Sequence, residues 1–105
     1  MSIYCMIEIA FDKKSEVDKV TEELLNRKIA VSCQVVESKS YWNWKSQRES
    51  SKEYLMFVKT KKEFEKEIYE VVKKIHSYSC FEFATFNLES CNDDYLKWID
   101  NETKK

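Results

Sequence analysis

This sequence predicts an α+β fold, and three observations carry that prediction. Segments with strand-like alternation and segments with helical spacing follow one another in the order βαββαβ. The strand segments are rich in β-branched and aromatic residues, while the helical ones carry apolar stripes flanked by Glu and Lys. At 105 residues the chain is one domain long, so residues 1–105 are read as a single unit. This order specifies two helices on one face of a four-stranded antiparallel sheet, a ferredoxin-like sandwich. An extended β2-β3 hairpin and an added C-terminal helix complete it.

Ile3 to Phe11 reads as the first strand. Ile3, Cys5, Ile7, Ile9 and Phe11 share one face, and Tyr4, Met6, Glu8 and Ala10 share the other. Both faces are mostly apolar, which suits a central strand. Lys13 to Arg27 reads as helix: Val17, Val20 and Leu24 form a stripe, and Ser15 with Asp18 fits a capping box. Ala30 to about Lys45 reads as a long second strand, with Trp42 and Trp44 projecting from one face. Ser46 to Ser51 reads as a polar turn, and Lys52 to Lys59 as the third strand. Thr60 with Glu63 fits a second capping box. Beyond it Phe64, Ile68, Val71, Val72 and Ile75 recur at helical spacing, and the helix ends near His76. Cys80 to Leu88 reads as strand four. Asn92 or Asp93 then caps a last helix running through Ile99 into a frayed Lys104-Lys105 tail.

Composition removes several functional classes. The chain has no Gly and no Pro. Glycine-rich phosphate loops are therefore excluded, and turns must rely on Asn, Asp and Ser. A positive φ at Ser46 or Cys91 would carry local strain. Eighteen basic and nineteen acidic residues leave a net charge of -1, so nothing draws the chain in bulk to nucleic acid or to an anionic membrane. Glu8 interrupts the first apolar run and no basic segment precedes it, so it is not read as a signal peptide. No stretch approaches the ~20 apolar residues of a membrane helix. The cysteines at 5, 33, 80 and 91 form no C-x-x-C pair, and the expectation is reduced thiols in a cytoplasmic protein.

Only one face of the predicted sheet is covered by the chain's own helices. The other carries aromatic and aliphatic side chains, and a large exposed apolar patch implies a partner.

Few residues suggest chemistry. His76, the only histidine, is read either as a metal ligand or as a cap on a helix C-terminus. Glu8 is the one charge inside the first strand, placed at the end where His76, Tyr78 and Cys80 approach. As a ligand it would favour Zn, Mn or Mg over Cu(I); the other reading is a carboxylate paired with a Lys. The cysteines read as small buried hydrophobes. Lys59 either binds an anion or pairs with Glu82 across a subunit boundary. Trp42, Trp44 and Trp98 read as interface and core aromatics. No Ser-His-Asp or paired-carboxylate constellation stands out, so no enzyme is expected.

A set of residues in register carries a resemblance. Ser40, Trp42 and Trp44 match an S-x-Y-x-W stretch, and Leu55 to Thr60 a strand ending Lys-Thr. His76 and Tyr78 match H-P-Y-E, with Ser77 and Ser79 in place of Pro and Glu; Glu82 follows. Tyr95 to Ile99 matches Y-L-x-W-I. This pattern resembles the CutA family of divalent-cation tolerance proteins over nearly the whole chain. The resemblance implies a homotrimer with extended hairpins, no catalysis, and a divalent metal such as Cu or Zn as ligand. It also implies a kinship with PII-like sensors that take a small ligand, an anion for example, at subunit clefts. Carried onto this chain, the metal residues would be His76, Glu8 and Cys33, the last standing where the family has its cysteine. The cleft residues would be Trp44, Lys59, Tyr78, Glu82 and Trp98.

Two rivals share the fold. The strand order is also that of an RRM-like RNA-binding domain, and Lys52 to Val58 loosely echoes its K-G-F-G-F-V strand. Both glycines are missing, however, and Met56 stands in place of a stacking aromatic. An acylphosphatase-like hydrolase would need a glycine-bearing anion loop with an Arg, and the two arginines, Arg27 and Arg48, lie at element edges.

Overall fold

The computed structural model describes residues 3–104. Eight elements follow in order: β1 (Tyr4–Phe11), α1 (Lys14–Asn26), β2 (Ser32–Trp44), β3 (Gln47–Lys61), a 3-10 turn (Lys62–Phe64), α2 (Glu65–Ile75), β4 (Phe83–Asn87) and α3 (Asp93–Glu102). The four strands make one antiparallel sheet in the order β2-β3-β1-β4. This is the ferredoxin-like sandwich expected, with its added C-terminal helix.

Alternation along β1 sorts the two faces. Cys5, Ile7, Ile9 and Phe11 are fully buried under α1 and α2, joined there by Met56 and Val58 of β3. Val17, Val20 and Leu24 of α1 and Ile68, Val71 and Val72 of α2 close the core from above. Each fully buried side chain of this size contributes roughly 1.5–3 kcal/mol of transfer free energy. Tyr4, Met6, Glu8 and Ala10 point to the open face. Register places Leu55, Phe57 and Lys59 of β3 and Gln34 and Val36 of β2 beside them.

Element boundaries differ from expectation in instructive ways. The polar Ser46–Ser51 segment is not a turn: β3 begins at Gln47, and the connection is Lys45-Ser46 alone. Both residues have positive φ, 51° and 66°, the handedness a two-residue hairpin turn needs to match strand twist. The hairpin therefore runs the full length of β2. Thirteen residues span roughly 43 Å, which accounts for the molecule's 45 Å long dimension against 26 and 21 Å across. Cys91, by contrast, has no positive φ; among the described residues the third with positive φ is Lys28.

Neither capping box forms. Ser15 lies inside α1, whose N-cap Lys13 makes no side-chain cap bond. Thr60 is still in β3, where its buried hydroxyl donates to the Ile29 carbonyl at 2.5 Å. Strand β4 is shorter than predicted, because residues 76–82 form an irregular segment that turns toward the open face. Asn92 does occupy the N-cap of α3, without a side-chain cap bond. Lys105 lies outside the described residues.

Helix α3 closes one end of the open face. Asp100 accepts from the Tyr4 hydroxyl at 2.9 Å and pairs with Lys61 at 3.2 Å. The opposite end, where the hairpin leaves the body, stays open.

Candidate functional site

Ala10 and Glu53 sit where β1 and β3 meet the root of the hairpin. Beyond them β2 brings Ser40, Trp42 and Trp44 along one face, and β3 brings Glu49. The segment before β4 supplies the facing wall with Tyr78, Ser79, Cys80 and Glu82. Between these walls lies a cleft of about 860 Å³, within the range that holds small ligands.

His76 fixes one wall. Its ring lies stacked between Phe11 (centroids 4.4 Å apart) and Phe81 (4.8 Å), and its side chain is fully buried. Nε2 lies 2.7 Å from the Ala10 carbonyl oxygen, which can only accept, so Nε2 carries the proton. Nδ1 then accepts the Tyr78 backbone N–H at 3.1 Å. Both ring nitrogens are occupied, and the core thereby positions Tyr78.

Tyr78 in turn donates its hydroxyl to Glu53 Oε2 at 3.1 Å. Burial, that hydrogen bond, and the charges of Asp12, Glu53 and Glu16 push the phenol well above its ordinary value, so it remains a donor. Glu53 itself is buried, only 7 % exposed. Glu82 stands diagonally from Glu8 across the β1–β4 pair, since Glu8 faces Ala84. The hydrogen bond with Glu8, partial burial, and the Glu8 and Glu53 charges push the Glu82 carboxyl up to about 7. Two carboxyl groups bond only when one proton is shared between them.

The structure separates the residues expected to hold a metal. His76 lies under the helices and has no free nitrogen. Glu8 projects from the opposite face of the same sheet, toward Glu82 rather than toward His76 or Cys80. Cys33 sits on the helix side of β2, opposite Val58 and hydrogen-bonded to the Thr21 side chain, two strands from β1. Burial raises its thiol to about 11, as it does for Cys5. Among the described residues, no group of three or more His, Cys, Asp or Glu side chains is arranged to hold a metal ion. His76, Glu8 and Cys33 therefore do not fit as one metal centre, and His76 takes the structural role of helix C-cap.

The expected cleft set divides. Trp44, Tyr78 and Glu82 line the cleft together. Lys59 and Trp98 do not: Lys59 donates to Gln34 Oε1 at 2.8 Å, and the Trp98 ring lies tilted against Tyr95 on α3, 5.8 Å between centroids. Glu53 was missed, although the sequence held a signal. It shares the period-2 face of Leu55 and Phe57, a carboxylate on an otherwise apolar stripe.

Comparison with known proteins places this architecture. A family model described as CutA1 divalent ion tolerance protein matches residues 5–102. The chain belongs to the CutA1 family. The divalent-cation tolerance protein CutA of Pyrococcus horikoshii is 27 % identical over 95 % of this chain and 98 % of its own. That of Thermococcus kodakarensis is 33 % identical over 77 % of this chain and 78 % of its own. Among solved structures, the CutA of Archaeoglobus fulgidus, called a periplasmic divalent cation tolerance protein, superposes with a TM-score of 0.92. It is 28 % identical and covers 96 % of this chain and 99 % of its own. These relatives are named for divalent-cation tolerance. The RNA-binding alternative finds no support in these likenesses, and Met56, which stood against a stacking aromatic, is buried on the helix side. No helix among the described residues is long and apolar enough to cross a membrane.

Proposed function

We propose that this CutA chain is a non-catalytic, cytoplasmic homotrimer that senses a small ligand at clefts on the subunit boundary. The observation that carries the reading is the uncovered middle of the open sheet face. Met6, Leu55 and Phe57 lie there beside Val36 and Phe86, which are 51 % and 47 % exposed. Apolar surface of this continuity favours association. A second copy is the partner that fits, because the hairpin outreaches its own body and a symmetric neighbour can accept it.

The cleft at the hairpin root supports the sensing half of the proposal. It combines aromatic walls with a few placed carboxylates, the composition of a binding site rather than of a packing fault. Copper or zinc enters this reading only where side chains of more than one subunit converge, since the described residues of one subunit offer no such ligand set.

Light scattering on the reduced protein tests it, with and without Cu, Zn and a chelator. The expected result is three times the chain's 12.7 kDa mass in every condition. A monomer would overturn the reading.

A further inference from the structure

We propose that the cleft under the β2–β3 hairpin binds an organic ammonium cation, held against the rings of Trp42, Trp44 and Tyr78 and balanced by the Glu53 and Glu82 carboxylates. This rests on the reading of the cleft as a ligand site, and not on the trimer.

The lining chemistry is one-sided. Among the described residues of one subunit it contains three carboxylate residues, Glu49, Glu53 and Glu82, and four aromatic ones, and no Lys, Arg or His. In a chain with almost balanced charge, such segregation sets up a negative field. Asp12 adds to it: its Oδ1 is buried without a hydrogen-bond partner among the described residues, and its charge reaches Tyr78.

Each rival ligand class fails on one of these facts. An anion would meet three carboxylates. A neutral apolar molecule would bury them unpaired. A bare metal ion needs converging ligands, which the described residues do not offer, and it would leave most of 860 Å³ unused. An alkylammonium ion satisfies all of them. Its charge answers the carboxylates, its alkyl groups fill volume, and its diffuse charge suits the faces of Trp and Tyr rings. One ring already lies beside such a group: Lys45 Nζ stands 5.8 Å from the Trp44 ring centroid.

Proton release accompanies binding. Glu82 carries a proton up to about 7 and must lose it to act as a countercharge. The titratable groups lining the cleft are Tyr41 from β2, Glu49 and Glu53 from β3, and Tyr78, Cys80 and Glu82 from the segment before β4; behind them Glu8 of β1 bears on Glu82, and Asp12, just past β1, and Glu16 of α1 bear on Tyr78. Binding therefore tightens as pH rises from 6 to 8.

The test titrates the full chain, stripped of metal with chelator, with butylammonium, tetramethylammonium and the uncharged 1-butanol. Tryptophan fluorescence and calorimetry report binding at pH 6 and pH 8. At least one cation is expected to bind about tenfold or more tightly than 1-butanol, and more tightly at pH 8. A preference for butylammonium identifies a primary amine as the natural class, and one for tetramethylammonium a quaternary amine. Glu82→Gln should weaken binding about tenfold and flatten its pH dependence. Trp44→Leu, on the exposed hairpin, should weaken it with the pH dependence intact. Equal binding of 1-butanol, or cation binding unaffected by both substitutions, overturns the proposal. Scattering on the same samples separates the two ideas. A trimer that binds neither cation removes the ammonium site and leaves the assembly standing, while a monomer that binds one does the reverse.

Discussion

The Tyr78 hydroxyl donates to the buried Glu53 carboxylate across 3.1 Å, joining the segment before β4 to the root of the hairpin. Removing that donor leaves a desolvated carboxylate short of a partner, the costly half of breaking a hydrogen bond. Tyr78→Phe should lower stability by about 1–3 kcal/mol, read as a lower Tm at fixed protein concentration. An unchanged Tm would show that water replaces the phenol.

Glu82 gives stability a pH dependence of definite sign. Its carboxyl is raised to about 7 in the fold against an ordinary value near 4.5. The folded state therefore holds this proton more tightly than the unfolded chain does. The contribution is full below about 4.5 and is lost as pH rises to about 7. The difference in urea midpoint between the protein and Glu82→Gln should drift across that window and level off above it. A difference independent of pH would refute the shared-proton pair.

Lys28 stands where α1 ends, with φ of 58°. Its N–H bonds the Leu25 carbonyl and that of Ile29 the Leu24 carbonyl, the paired closure of a helix that usually places glycine between them. Lys28→Gly should raise stability by about 1 kcal/mol by relieving the left-handed strain. Ser46→Gly at the hairpin turn should act the same way. Thermal melts of both variants provide the check, and a loss at both sites would mean that the side chains make compensating contacts.

The thiols should separate by reactivity. Cys5 and Cys33 have pKa values raised to about 11 by burial, whereas Cys80 is exposed. With a chromogenic disulfide reagent at pH 8, Cys80 should react first and Cys5 and Cys33 only on unfolding. Cys80→Ser should remove the fast phase. Rapid labelling of Cys33 in the folded protein would contradict its packing beneath α1.

Strand and helix identity were legible because alternation and helical spacing are local properties. The stripes of β1, α1 and α2 all lie where their periods put them. The turn at Lys45-Ser46 was illegible because the chain lacks the glycine that marks such turns, so the polar residues 46–51 mimicked a loop. The capping boxes failed for a related reason: Thr60 found a better partner in the Ile29 carbonyl, thirty-one residues away. Site residues were legible by type but not by side. The segment from 76 to 82 passes from core to open face, putting His76 under the helices and Tyr78 and Glu82 over the cleft. No period in the sequence announces such a crossing.

The two walls of the cleft differ mechanically. The Tyr78 side is bolted to the core through the stacked His76 ring, whereas the tryptophan side is a two-stranded ribbon beyond the body. A twisted ribbon bends across its plane more readily than a packed wall yields. The pair behaves as a caliper with one fixed jaw. A bulkier occupant is accommodated by swinging the other jaw, and a small change of gap at Glu53 is magnified at Lys45-Ser46, the far end of the lever.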